Sequence, residues 1–173
     1  VIIVRGKPGL LSQGNKVIYS LGTSIREKKQ FKKLLKEFHL ETIVDVRRFP
    51  KSRFDYFCKD KLCSMLKQDK IGYVYLGDVL GGFRKNGYQE YTKTESFVIG
   101  IDELKKVALK KKTAFMCAER FPWKCHRRFI ARELEKEGWK VIHIIDGGKT
   151  WETKPQNKTQ RKKEKNKSLS LPI

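Results

Sequence analysis

Long apolar runs are missing from this sequence. No stretch approaches the eighteen or so apolar residues a membrane span requires, and the opening "VIIV" is followed by Arg5 and Lys7. The chain therefore reads as neither membrane-spanning nor secreted. Cysteine is scarce, with four residues in 173, and these have no framework spacing in a chain long enough to build its own core. Free thiols in a reducing compartment follow, and the cytoplasm is the expected location. Acidic residues are also short, with 19 Asp and Glu against 40 Lys and Arg, a formal net charge of +21. Residues 148–173 carry +6 of that excess and leave +15 on the remainder. The folded part is thus itself basic, which attracts polyanions and nucleic acid above all. A lysine-rich surface kept for solubility or heat tolerance is the competing explanation.

Phosphate-loop signatures are absent too: there is neither a G-K-[ST] nor a G-x-G-x-x-G. What the chain does have is an alternation of β-rich runs and helical periods. Residues 1–15, with Gly6, Pro8, Gly9 and Gly14, read as an N-terminal arm. Strands are expected over Lys16–Leu21, Thr42–Arg47, Gly72–Leu76, Lys112–Glu119 and Lys140–Asp146. A helix carrying Phe31, Leu34, Leu35 and Phe38 follows the first, opened by Ser24-x-x-Glu27 as a capping box. Others are expected over Asp55–Gln68, from near Thr94 through Ala108, and over Trp123–Glu137. Asp78–Thr92 reads as a long loop. From Gly148 the apolar signal stops, and residues 148–173 read as a basic, disordered tail. Alternating strands and helices give one α/β domain over residues 16–147, a three-layer sandwich with a mainly parallel central sheet of about five strands and helices on both faces.

In such sheets ligands bind beyond the carboxyl ends of the strands, and the reactive residue types collect there. Asp45 lies within the second strand and Arg47, Arg48 and Ser52 at and beyond its end, where arginine forks suit phosphate and a neighbouring acid can hold one in place. Gly81 and Gly82, in "LGGFRKNGYQEY", let backbone approach a ligand, while Phe83, Arg84, Tyr88 and Tyr91 can stack on bases or hold the loop down. Cys117, Glu119, Cys125, His126 and Arg127 lie in "MCAERFPWKCHRR". The C-x7-C-H spacing lacks the short knuckle of structural zinc sites and a nearby fourth ligand, so no metal or other cofactor is expected and zinc is disfavoured. Cys125 opens a helix beside Arg127 and Arg128, a setting that favours thiolate. Glu119 or His126 can move a proton. Inert packing of the cysteines is the alternative. His39 and His143 read as structural.

"SLG", "IVDVRRFPKSRF", "YVYLGDVLGG" and "FMCAERFPWKCHRRFIARELEKEGWKVIHI" together resemble the domain-of-unknown-function 488 family over roughly Val17–Ile145. The resemblance implies a compact α/β domain and a polar cleft containing Asp45, Arg47, Arg48, Ser52, Gly81, Gly82, Cys117, Glu119, Cys125, His126 and Arg127, without implying an activity. A fainter likeness, carried by "DVR", the cysteine ending a strand and a later G-G…W, is to rhodanese-like sulfurtransferases, in which Cys117 would be the persulfide-bearing nucleophile. The expected partner is a nucleic acid or a phosphate-bearing small molecule, met either by an enzyme or by a binding module. Oligomeric state is left open.

Overall fold

The computed structural model describes residues 16–153. The expected arm over residues 1–15 lies outside the described residues, as does the expected tail from residue 154; the first part of that tail, expected disordered from Gly148, instead contains a strand at Lys149–Trp151. Five parallel strands form the body of one sheet: β1 (Val17–Gly22), β2 (Thr42–Asp45), β3 (Gly72–Tyr75), β4 (Thr113–Cys117) and β5 (Lys140–Asp146). A sixth, β6 (Lys149–Trp151), turns back antiparallel on β5, and the order across the sheet is β3-β2-β4-β1-β5-β6.

The central strands β2 and β4 are buried on both sides, as parallel strands covered by crossover helices must be, while β3 and β6 at the two edges are more exposed. On β2, Ile43 enters the core with α1 (Lys28–Glu37) and α2 (Lys59–Gln68), while Val44 enters the opposite core with α5 (Glu95–Lys110) and α6 (Arg127–Lys136). The same alternation splits Met116 from Phe115 and Cys117 on β4. The expected α/β sandwich is therefore the observed one, with a sixth strand added at the edge.

Several boundaries moved for local reasons. Glu27, not Ser24, caps α1: Gln30 Oε1 accepts from the Glu27 N–H at 3.1 Å, whereas Ser24 sits at φ 49° and its N–H reaches Ala118 O at 2.8 Å. The helix expected from Asp55 is divided, because extended Cys58 separates a 3₁₀ turn at Asp55–Phe57 from α2. The helix expected from Trp123 is divided as well, into a 3₁₀ turn at Pro122–Lys124 and α6. The glycine-rich loop contains two single-turn helices, α3 (Gly77–Leu80) and α4 (Tyr88–Tyr91). Thr94 caps α5 as expected, accepting from Phe97 N–H. No described helix is long and apolar enough to cross a membrane.

The connectivity decides where a site can form. β4 leads into α6 on one face, while its neighbours β2 and β1 lead into α2 and α1 on the other. The chain thus parts to opposite sides around the carboxyl end of β4, and a crevice opens there.

Candidate functional site

A cleft of about 670 Å³ occupies that crevice. Its walls come from three segments distant in sequence: Arg47–Phe49 after β2, Gly82–Arg84 with Tyr88, and the stretch from Cys117 to Phe129. Of the residues expected at the site, Arg47, Arg48, Gly82, Cys117, Glu119, Cys125 and His126 line it. Asp45, Ser52, Gly81 and Arg127 stand behind the wall.

The alternation of β2 explains which side each residue takes. Asp45 and Arg47 share the Ile43 face and turn under α2. There Asp45, fully buried, accepts from Arg47 Nε at 2.9 Å and Nη2 at 2.6 Å, and from Tyr73 Oη at 2.9 Å. Arg47 also donates to Phe57 O at 2.8 Å, so its fork is committed to the protein although its edge reaches the cleft. Arg48, one residue on, takes the other side. Ser52 Oγ accepts from the Phe54 N–H at 3.1 Å and fixes that turn. Gly81 is pressed against Arg48, where an added Cβ would lie 2.6 Å from the Arg48 Cβ.

Arg127 follows the helical period instead. With Ile130, Ala131 and Leu134 it forms the buried stripe of α6, and it is 0% exposed. A ligand-binding role on the cleft surface is therefore not what its position serves. Its guanidinium donates to Ser20 Oγ (3.1 Å), to the carbonyls of Glu119 and Arg120, and to Cys125 Sγ (3.3 Å). None of these partners is a carboxylate. A wholly buried cation needs a compensating anion, and the Cys125 sulfur is the contact that can supply one.

The two cysteines meet: Cys117 Sγ and Cys125 Sγ are 3.3 Å apart. The hydrogen bond from Cys117 lowers the Cys125 thiol to about 6, with Arg127 reinforcing it against the opposing effect of burial. That same bond, with burial, pushes the Cys117 thiol up. One proton is thus held on Cys117 while Cys125 carries the charge, facing Arg127 at the amino end of α6. The more readily ionised thiol of the pair is Cys125, whereas the rhodanese likeness would make Cys117 the nucleophile.

His126 Nε2 lies 2.9 Å from Val46 O and must donate to it, which leaves Nδ1 as the acceptor. Burial, with the charges of Arg127 and Arg84, lowers this imidazole to about 4 and keeps it neutral. Cys117, Cys125 and His126 each place one donor atom within 4.8 Å of the others. A divalent cation there would require both thiols to ionise, turning a balanced thiolate–guanidinium pair into a buried net charge of +1 beside Arg127. The charge arrangement suits a dithiol better than a metal.

A second layer of residues backs the cleft. His143, read from the sequence as structural, is 1% exposed; its Nδ1 and Ser20 Oγ share a hydrogen bond of 2.5 Å, and Ser20 also accepts from Arg127. Burial and the Arg127 charge lower His143 to about 3. Asp146 ties Arg120 (2.6 Å) and Arg26 (3.5 Å) to the end of β5. Tyr88 and Tyr91 hold the glycine loop by donating to Leu80 O and Val79 O, and the Tyr88 ring lies over His126. What sequence reasoning missed is the inward turn of Arg127, which the helical stripe of α6 could have signalled.

The two depressed histidines predict acid lability. Both are neutral in the fold and protonate in the unfolded chain below about 6.5. Their stabilisation is complete above that value and is lost as pH falls through the folded values near 4 and 3. Urea unfolding should lose about 1.4 kcal/mol per pH unit per histidine between pH 6 and 5, above the carboxylate range. His143→Gln should reduce that slope, and an unchanged slope would exclude His143 as its source.

A parallel α/β domain with a paired-cysteine cleft at the strand ends is the class that fold and site define. The family model described as domain of unknown function DUF488 matches residues 27–134, and the chain belongs to that family. No curated protein and no solved structure matches the chain.

Proposed function

We propose that the cleft binds a phosphate-bearing ligand with a flat ring, a nucleotide unit taken free or within a nucleic-acid strand. The observation that carries this reading is the charge of the wall. Arg48, Arg84, Lys124 and Arg128 surround the cleft, and none forms an ion pair with a carboxylate among the described residues; Glu119 is the one acid lining it. Arg84 and Arg128 also donate to backbone carbonyls, those of Gly81 and Asp78 and that of Trp123, but guanidinium groups without a carboxylate partner on a concave surface favour phosphate.

Two further features support the ring and the strand. Phe49 and Phe83 stand at the mouth, 64% and 86% exposed, with ring centroids 6.3 Å apart. Exposed aromatic rings beside cations offer stacking faces for bases. Lys28, Lys29, Lys32, Lys33 and Lys36 add a basic stripe along α1, of which only Lys32 has an acidic partner among the described residues, Asp69 at 2.9 Å. A long polyanion can use that stripe, and a single nucleotide cannot.

Fluorescence anisotropy with labelled single-stranded DNA and RNA tests the proposal. Affinity should fall steeply between 50 and 200 mM salt, and the Arg48→Ala, Arg128→Ala double variant should reduce the slope of log K against log salt by about 2. Competition by a nucleoside monophosphate at low concentration assigns the cleft to free nucleotide; weak competition assigns it to the strand. Absence of binding at low salt, or a slope the variant leaves unchanged, would overturn the reading.

A further inference from the structure

We propose that Cys117 and Cys125 form a redox-active dithiol that reduces a disulfide carried by an anionic substrate in the cleft. The inference rests on the anion-binding reading for its substrate class and on separate observations for its chemistry. Four cysteines are free, but Cys58 and Cys63 lie on the α2 side of the sheet. Cys117 and Cys125 lie together on the α6 side, at the end of β4 and before α6, and both line the cleft.

The pair is divided in the way a two-step exchange needs. Cys125 is partly exposed and is held as thiolate against Arg127, which has no other anionic contact among the described residues. Cys117 is 3% exposed and keeps its proton directly behind, its sulfur receiving the Glu119 N–H at 3.3 Å. Closing the present 3.3 Å gap to a bond of about 2.05 Å takes an approach of about 1.3 Å. The approach falls to the Cys125 side, where Trp123 and Lys124 are exposed, because Glu119 and Arg120 are held by Arg127 and packed against Gly22.

The electrons balance within the named partners. The Cys125 thiolate attacks one sulfur of the substrate disulfide, forming a mixed disulfide and expelling the other sulfur as thiolate. Cys117 then attacks Cys125 Sγ and gives its proton to the departing sulfur, so the second half of the substrate leaves as thiol. The substrate disulfide gains two electrons, and the protein is left with a Cys117–Cys125 disulfide. A second thiol reductant returns it to the dithiol. The cations of the wall select substrates whose thiol halves carry carboxylate or phosphate.

The test mixes reduced full-length protein with glutathione disulfide, an anionic substrate, and with hydroxyethyl disulfide, a neutral one, and follows mass and free thiols. The expected product has lost two thiols, with peptide mapping placing the bond at Cys117–Cys125. Cys117→Ser should stop at a glutathione adduct on Cys125, and Cys125→Ser should form neither. The anionic disulfide should react about tenfold faster, and Arg48→Ala with Arg128→Ala should remove that preference. Four thiols persisting after exposure, a bond elsewhere, or equimolar zinc blocking both thiols overturns the dithiol irrespective of ligand binding. Equal rates for the two disulfides overturn the anionic substrate class while leaving nucleic-acid binding to its own salt titration.

Discussion

Asp45→Ala should destabilise the protein by about 3–5 kcal/mol, the cost of leaving a buried charge without its partner. Asp45 is fully buried and accepts four hydrogen bonds, from the Arg47 N–H (3.0 Å), from Arg47 Nε and Nη2, and from Tyr73 Oη. Arg47, 5% exposed, cannot turn to water without abandoning Phe57 O and the 3₁₀ turn it secures. Replacing both residues, Asp45→Ala with Arg47→Met, should recover part of the loss because no orphaned charge then remains. Urea denaturation of the single and double variants measures the coupling. A single-variant loss below about 1 kcal/mol would mean that the pair is hydrated like a surface salt bridge.

Gly22→Ala is expected to cost about 3 kcal/mol and to disturb the thiols as well. A Cβ at Gly22 would lie 2.0 Å from Glu119 O, 2.6 Å from its carbonyl carbon and 2.9 Å from Arg120 Cα. These are backbone atoms of the segment that joins the cysteines, and they cannot rotate aside as a side chain can. Glu119 O is also an acceptor for Arg127, so displacing it loosens the guanidinium from Cys125. The pH midpoint of Cys125 alkylation should rise from near 6 towards the ordinary thiol value of about 8.5. Peptide-resolved labelling across pH measures it. A destabilised variant with an unmoved midpoint would separate the packing of Gly22 from the charge on Cys125.

Much of the fold was legible because parallel sheets write a simple pattern. β5 was expected over Lys140–Asp146 and lies there, and Thr94 was recognised as the start of α5. β6 was missed because three exposed residues, Lys149–Trp151, carry no apolar signal of their own and are held by pairing with β5. At the site, residue type was a better guide than orientation. That Asp45 and Arg47 end a strand was readable, but their commitment to each other follows from packing under α2. The meeting of Cys117 with Cys125 spans the nonregular segment between β4 and α6, where no sequence period operates. The unpaired character of Arg48 and Arg128 depends on which acids come near, and only the assembled chain determines that.

The end of the described chain has a consequence for how a long ligand would be held. Glu152 pairs with Lys140 at 3.2 Å and Thr153 bonds Glu135 at 2.6 Å, which fastens the chain to the amino edge of the sheet, opposite the cleft. The α1 lysines likewise stand away from Arg128, on the face of the sheet opposite α6. A single nucleotide in the cleft gains nothing from them, whereas a polymer that reaches around the domain can engage both charge centres. Two weak grips on one strand multiply through effective concentration, so a minimum oligonucleotide length would mark the point at which the second grip takes hold.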